Sequence, residues 1–289
     1  EINIPDHIRF LLKKINFSGY KAYCVGGCVR DCLIGQIPHD WDIASSATPE
    51  DIMSIFDGYK TINTGIKHGT VTLLLDGNPV EITTFRKDGK YSDFRHPDSV
   101  SFSDQLKDDL SRRDFTINSM AIDIDSVLND PYCGSSDLNN KIIRCVGDPE
   151  KRFTEDPLGI LRALRFSSRL AFDIEKNTEA AIFSKFSLLE NISIERIQAE
   201  LSGILVGQNA ESTLRKYSEV IFFILPELRV MYNCPQETKY HKYDVWEHTL
   251  HSIGFADQDI NLRLCMLFHD SGKPALKTFE DNGVAHFYK

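Results

Sequence analysis

The sequence has no apolar run approaching the ~20 residues of a membrane-spanning helix. Its opening, EINIPDHIRFLLKK, also lacks the uninterrupted apolar core of a signal peptide. None of its seven cysteines forms a Cys-x-x-Cys pair, and the odd count argues against both a closed disulfide framework and a zinc ribbon. Basic residues are in deficit, 33 Lys and Arg against 42 Asp and Glu, for a net charge of −9. That balance excludes a globally basic nucleic-acid coat but leaves room for a local basic track that binds RNA. No internal repeat or low-complexity linker is visible. These absences predict a soluble, cytoplasmic chain with reduced thiols.

What is present suits a folded protein of about two domains, since 289 residues with 42% hydrophobic content can bury a sizeable core. Ile8, Leu11, Leu12 and Ile15 fall at helical spacing within residues 6–17. Strand-like runs follow at 21–25, 41–44, 70–75 and 79–85, with Asp76-Gly77-Asn78 reading as the turn of a hairpin. From about Asp148 the apolar period becomes 3.6, through Leu161, Leu164, Leu170, Ile182, Phe186, Leu188 and Leu189, so helices are expected to the end. Boundaries are placed near 145, from the change of period, and near 211, after Gly207-Gln208-Asn209. Cys24, Cys28 and Cys32 recur every fourth residue, but Gly26-Gly27 interrupts a continuous helix, and small buried thiols are expected there in preference to metal ligands.

The most informative stretch is 26–44, GGCVRDCLIGQIPHDWDIA. A strand that runs through Gly26 and Gly27 into a helix lets backbone N–H groups approach phosphate oxygens, and Arg30, about one turn in, could reach the same triphosphate. Asp40 and Asp42, one residue apart in a strand-like context, would share a face and could hold two divalent ions about 4 Å apart. Taken singly, a Gly-Gly pair is usually a tight turn and an Asp-x-Asp a solvated loop. In this order and spacing the string resembles the signature of the class II tRNA nucleotidyltransferase and poly(A) polymerase family, within the polymerase-β-like nucleotidyltransferase superfamily.

The resemblance continues through EITTFR (81–86), KDGKYSDFRHPDSVSF (87–102) and SRRDFTINSMAID (111–123). It implies an α+β protein: a nucleotidyltransferase head with a small mixed sheet over 1–145, a helical neck carrying a base-selection helix over 146–211, and a helical body over 212–289. It also implies attack of an RNA 3′-hydroxyl on the α-phosphate of CTP or ATP with release of pyrophosphate, Mg2+ held by Asp40 and Asp42, and the tRNA 3′ acceptor end as partner. Glu81 is a candidate third carboxylate or an ordinary exposed strand glutamate. Segment 88–97 falls in a loop that family members need for the final A. Gly26, Gly27, Arg30, Arg113 and Asp114 are implied to bind nucleotide, with Asn118 behind them; alone, the Arg-Arg-Asp triplet could be a surface ion-pair cluster.

The template helix of the family is matched by EDPLGILRALRF (155–166), where Asp156, Arg162 and Arg165 are implied to bind nucleotide. On a helix begun near Glu155, Asp156, Gly159, Arg162, Arg165 and Arg169 would form one polar stripe. Gly159 stands where the family has a base-reading arginine, which puts nucleotide selection in question. IERIQAEL (194–201) resembles the helix that braces the template helix. YDVWEHTLH (243–251) and LFHDSGK (267–273) resemble the first two elements of an HD metal site, with His248, His269 and Asp270 as ligands for a second divalent metal. The closing Asp of that site lies beyond Lys289, so the chain is expected to be truncated. A poly(A) polymerase, an HD-type phosphohydrolase and a non-catalytic RNA-binding module remain as alternatives; oligomeric state is not readable.

Overall fold

The amphipathic spacing at the start of the chain folds as expected. In the computed structural model, which describes residues 2–62, 65–75, 77–89, 94, 99–236, 242–279 and 285–286, helix α1 (Asp6–Phe17) buries Ile8, Leu11, Leu12 and Ile15 completely. Asp6 in its first turn and Lys14 in its last complement the helix dipole. The chain divides into two compact units, 1–156 and 157–289.

In the first unit a seven-stranded mixed sheet is built from β1 (Ala22–Val25), β2 (Asp42–Ser45), β3 (Lys60–Ile62), β4 (Thr70–Leu75), β5 (Asn78–Thr84), β8 (Ala121–Ile122) and β9 (Leu128–Asn129), while β6 (Arg86–Asp88) and β7 (Val100–Phe102) pair separately. The order is β3-β4-β5-β2-β1-β8-β9. All neighbours are antiparallel except β2 and β5, which run parallel. The expected hairpin is β4–β5, paired down to Leu75 and Asn78, with Gly77 at φ +84° in the turn. Helix α2 (Gly27–Leu33) follows β1; α3 (Pro49–Ile55) starts at a reciprocal Thr48–Asp51 capping box with Pro at its first position. Then come α4 (Leu106–Ser111), α5 (Gly134–Asn139) and α6 (Pro149–Glu155). Val25, Ala44, Phe85, Leu110 and Ala121 form a fully buried cluster that locks α4 onto the sheet.

The second unit comprises α7 (Leu158–Leu170), α8 (Lys176–Lys185), α9 (Ile194–Leu205), α10 (Ala210–Lys216), α11 (Ser218–Ile224), α12 (Val245–Phe255), α13 (Ile260–Phe268) and α14 (Lys273–Leu276). The sequence predicts helices throughout this unit; instead Asp173–Ile174 is extended, and Thr278–Phe279 pairs antiparallel with Ala285–His286. Helical periodicity is too long a ruler to register two-residue strands. Helices α7 and α9 approach closely because Gly203 faces Arg165 and Gly207 faces Ser168, and a Cβ at either would collide. Ser168 Oγ donates to the Ile204 carbonyl at 2.6 Å. Arg263, buried, donates to the carbonyls of Leu205, Gly207, Ala256 and Asp257, satisfying the end of α9. Among the described residues no helix is long and apolar enough to cross a membrane.

Candidate active site

Strand β1 ends at Val25 and the chain turns through Gly26 into α2. Gly26 sits at φ +79°, and a Cβ there would lie 2.7 Å from Nη1 of Arg113, so both the backbone and the space require glycine. The turn therefore brings a guanidinium from the Arg-Arg-Asp segment against the Gly-Gly segment, two stretches the sequence separates widely. Arg30, from which the sequence expects reach toward the same triphosphate, is engaged within the protein. Its Nε and Nη2 donate to Asp31 Oδ1 at 2.9 and 2.7 Å, and its Nη1 donates to Asn118 Oδ1 at 2.8 Å. Asn118 in turn donates to Asp114 Oδ1 at 3.4 Å.

Beside this cradle stand the carboxylates. Asp42 opens β2 and is the register partner of Glu81 on the parallel strand β5, so the candidate third carboxylate lies directly next to the second. Asp40 precedes the strand instead of belonging to it, contrary to the alternation argument; it is largely exposed and meets His39 at 3.0 Å. Solvent reaches Asp42, yet enclosure by surrounding protein atoms raises its carboxyl pKa, Arg113 opposes the rise, and the charges of Glu81 and Asp40 add to it. Three carboxylates with one partly compensating guanidinium leave surplus negative charge, a donor set of hard oxygens that suits Mg2+. Cys24 and Cys28 behind them are buried, as expected of small core thiols. Burial pushes the Cys28 thiol up to about 12 and raises Cys24 as well, so both stay protonated.

The expected base-selection stripe is only partly formed. Helix α6 stops at Glu155; Asp156 is extended at φ −136°, ψ 91°; α7 begins after Pro157. Asp156 is thus a linker residue and not a member of the helix, because proline disfavours the helical conformation in the residue before it. Gly159 is buried in the first turn of α7, and Arg162 is half-buried. Arg165 donates from Nε to Glu200 Oε2 at 2.6 Å, which ties α7 to the helix expected to brace it. Of the expected loop at 88–97, all but Asp88, Gly89 and Phe94 lies outside the described residues.

In the second unit His248 on α12 meets His269 and Asp270, which follow α13, with ligand atoms all within 4.8 Å of one another. His269 Nδ1 lies 2.7 Å from the Met266 carbonyl, which leaves Nε2 to face Asp270 Oδ2 at 3.3 Å; His248 Nε2 lies 3.6 Å from the same oxygen. The Nδ1 contact with the Met266 carbonyl fixes the His269 ring as such contacts do in metal sites. The same Asp270 oxygen, however, already holds the ammonium of Lys273 at 2.7 Å. The donor set fits a divalent ion only if Lys273 moves.

Asp109 and Asp31 were not singled out in the sequence. Asp109 precedes Arg112 and Arg113 by three and four residues, so helical spacing is the signal that could have exposed it.

A mixed sheet that sets paired carboxylates on neighbouring strands beside a Gly-Gly turn and a docked arginine is the architecture of a nucleotidyltransferase head. Residues 22–144 match the Poly A polymerase head domain, and residues 171–231 match the "Probable RNA and SrmB- binding site of polymerase A". The chain is 49% identical to the CCA-adding enzyme of Ligilactobacillus salivarius over 218 residues, 74% of this chain and 54% of that protein. It is 53% identical to that of Lactobacillus johnsonii over 190 residues, 66% and 47% of the two chains. The structure resembles the Bacillus stearothermophilus CCA-adding enzyme in complex with CTP, with a TM-score of 0.71, 36% identity and coverage of 92% of this chain and 67% of that one. It also resembles the Thermotoga maritima CCA-adding enzyme complexed with tRNA, with a TM-score of 0.66, 26% identity and coverage of 94% and 72%. The chain belongs to the tRNA nucleotidyltransferase and poly(A) polymerase family. It spans about half the length of the two sequence relatives it matches.

Proposed function

We propose that this chain carries the catalytic head of an enzyme that adds C and A to the tRNA 3′ end, the RNA 3′-hydroxyl attacking the α-phosphate of CTP or ATP and pyrophosphate leaving. The observation that carries the reading is the Asp42–Glu81 register pair, with Asp40 adding its charge, next to the Gly26–Arg113 contact. Asp40, Asp42 and Glu81 would hold Mg2+, which when bound lowers the pKa of the attacking hydroxyl and neutralises the departing pyrophosphate. Arg113 supplies donors to the phosphates. Gly26 and Gly27 admit the phosphates by having no side chain, and Arg30 fixes Asn118 and through it Asp114 on the sugar side. Asp156 and Arg162 read the base; Arg165 holds α7 in place. The free cysteines and the nucleoside triphosphate substrates support a cytoplasmic setting.

Purified chain incubated with labelled tRNA transcripts ending before CC, before A, and complete tests the reading. Extension of the first two by CTP then ATP, with the complete tRNA left alone, is the expected result. Untemplated A runs on unstructured RNA would make it a poly(A) polymerase. Phosphate release that survives loss of Asp40 would transfer the activity to the HD-like cluster. In that cluster a second divalent ion would be held by His248, His269 and Asp270, with Lys273 displaced. The division of the second unit into a neck to 211 and a body beyond it follows the same reading.

A further inference from the structure

Asp109, in the last turn of α4, has a side chain wholly shielded from water. Such a carboxylate needs positive partners, and it has two. Its Oδ1 accepts from Nε and Nη2 of Arg112 at 3.0 and 2.7 Å, and its Oδ2 accepts from Nη2 of Arg113 at 3.2 Å. Arg112 serves as the anchor, bound through the two-nitrogen edge of its guanidinium. Among the described residues Arg113 is held by one nitrogen, its Nη1 is the atom that lies over Gly26, and its buried Nε has no hydrogen-bond partner. The contrast with Arg30 is direct, since that guanidinium gives Nε, Nη1 and Nη2 to Asp31 and Asn118. A guanidinium fixed at one corner, with donors in reserve beside a glycine turn, is prepared for an anion that has yet to arrive.

Building on the nucleotide-cradle reading above, we propose that Asp109 is a positioning residue for nucleotidyl transfer: its shared ion pair with Arg112 and Arg113 holds the Arg113 guanidinium beside Gly26, pre-set for the triphosphate of the incoming nucleotide. The carboxylate touches no substrate; it acts through Arg113. Without it the Arg113 side chain recovers rotamers that must be frozen again on each binding event, so the loss falls on triphosphate affinity more than on turnover.

The test is Asp109→Asn in the 289-residue chain, read in three ways. Arginine Nε–H NMR reports Arg113 without any ligand: in the parent its signal is that of an ordered guanidinium, and in the variant it becomes mobile. Titration with CTP and with CMP separates phosphate reading from general damage: the CTP dissociation constant is expected to rise about tenfold and the CMP constant to change less than twofold, with KM for CTP rising more than kcat falls. In an Arg113→Met background, Asp109→Asn is expected to add less than twofold. Should the Asn variant fail to fold, Asp109→Glu, which keeps the charge but moves it by one methylene, carries the same measurements. An Arg113 that stays ordered in the variant overturns the proposal, as do equal losses of CTP and CMP binding. A mobile Arg113 with unchanged CTP affinity also overturns it, and by a different route: Asp109 would then hold Arg113, but Arg113 would not read phosphate, and the cradle assignment itself would fall.

Discussion

The head and the HD-like segment each gather three groups able to bind a metal, and they differ in how the charge is balanced. Around Asp42 three carboxylates face one guanidinium: enclosure by protein atoms raises its carboxyl pKa, Arg113 opposes the rise, and Glu81 and Asp40 add to it. Around Asp270 the balance is already struck, with Lys273 at 2.7 Å and two imidazoles within 3.6 Å of one oxygen. The number of ligands does not decide which cluster calls for a divalent cation; the uncompensated charge does. On the proposed reading the first cluster would take up a divalent ion, whereas the second already holds an ammonium.

The largest effect that would break this comparison is on turnover. Asp42→Asn or Asp40→Asn is expected to reduce nucleotide addition by at least about a thousandfold with the fold intact, since each would remove a charged ligand from the proposed Mg2+ site. Primer extension alongside circular dichroism makes the measurement, and near-normal addition in both variants would show that the surplus charge is not catalytic. His269→Ala is expected to leave addition within a few-fold of the parent; a large loss there would join the two clusters into one function.

Next in size is the competition at Asp270. Lys273→Met removes the resident cation without adding a donor, so divalent affinity at the His248, His269 and Asp270 cluster should rise about tenfold, the equivalent of roughly 1.4 kcal/mol. Mn2+ titration in an Asp42→Asn background isolates that cluster from the head. An unchanged or weaker Mn2+ affinity would mean that Lys273 does not guard the site.

Much of this contrast could be read before any coordinates, and its limits are instructive. The four apolar residues of α1 and the hairpin turn at Gly77 follow from local periodicity and turn chemistry, whereas the setting of Glu81 beside the Asp-x-Asp strand is a long-range parallel pairing. The HD-like cluster, too, follows from the two histidine segments once the family resemblance is granted. The misplacements come where one residue overrules a period. Pro157 takes Asp156 off the helix that spacing alone would give it. Strand β2 starts at Asp42, leaving Asp40 outside the alternation. Arg165 keeps its helical position, but Glu200, distant in sequence, claims its Nε. Partner choice of this kind depends on which helices pack together, and no local pattern encodes it. Asp109 is the opposite case, since its pairing with Arg112 and Arg113 at three and four residues is legible in helical spacing once α4 is placed.

Gly159 sharpens the comparison from the side of selection. An arginine at this position, in the first turn of α7, would add a donor for a base edge. Gly159→Arg is therefore expected to raise use of CTP and ATP over GTP and UTP by about tenfold, in line with the ~1 to 3 kcal/mol attached to an unpaired buried polar group, with no gain in melting temperature because a cation in the first turn opposes the helix dipole. Incorporation rates with all four nucleotides, beside thermal melts, decide it. A variant that is slower and no more selective would show that the glycine is required, consistent with its burial.

The smallest effect goes to the heart of the charge argument, because it asks whether Asp42 is under electrostatic stress before any metal arrives. Its folded pKa lies above the ordinary aspartate value of about 3.9, so the folded chain binds the proton more tightly than the unfolded chain does. The stability linked to that proton is fully present below the unfolded pKa and is lost as pH rises through the folded one; at neutral pH the ionised carboxylate is a liability. Asn mimics the protonated form. In chelator, Asp42→Asn should melt slightly above the parent at pH 7, by about 0.5 kcal/mol or less because solvent screens the group, and the difference should vanish on acidification below the ordinary aspartate range. Adding Mg2+ should reverse the order, since only the parent gains by binding it. The opposite sign at pH 7, an Asn variant that melts lower without metal, would mean that Arg113 already satisfies Asp42; the head would then be as self-balanced as the Asp270 cluster, and charge surplus could no longer explain why one of the two recruits a cation.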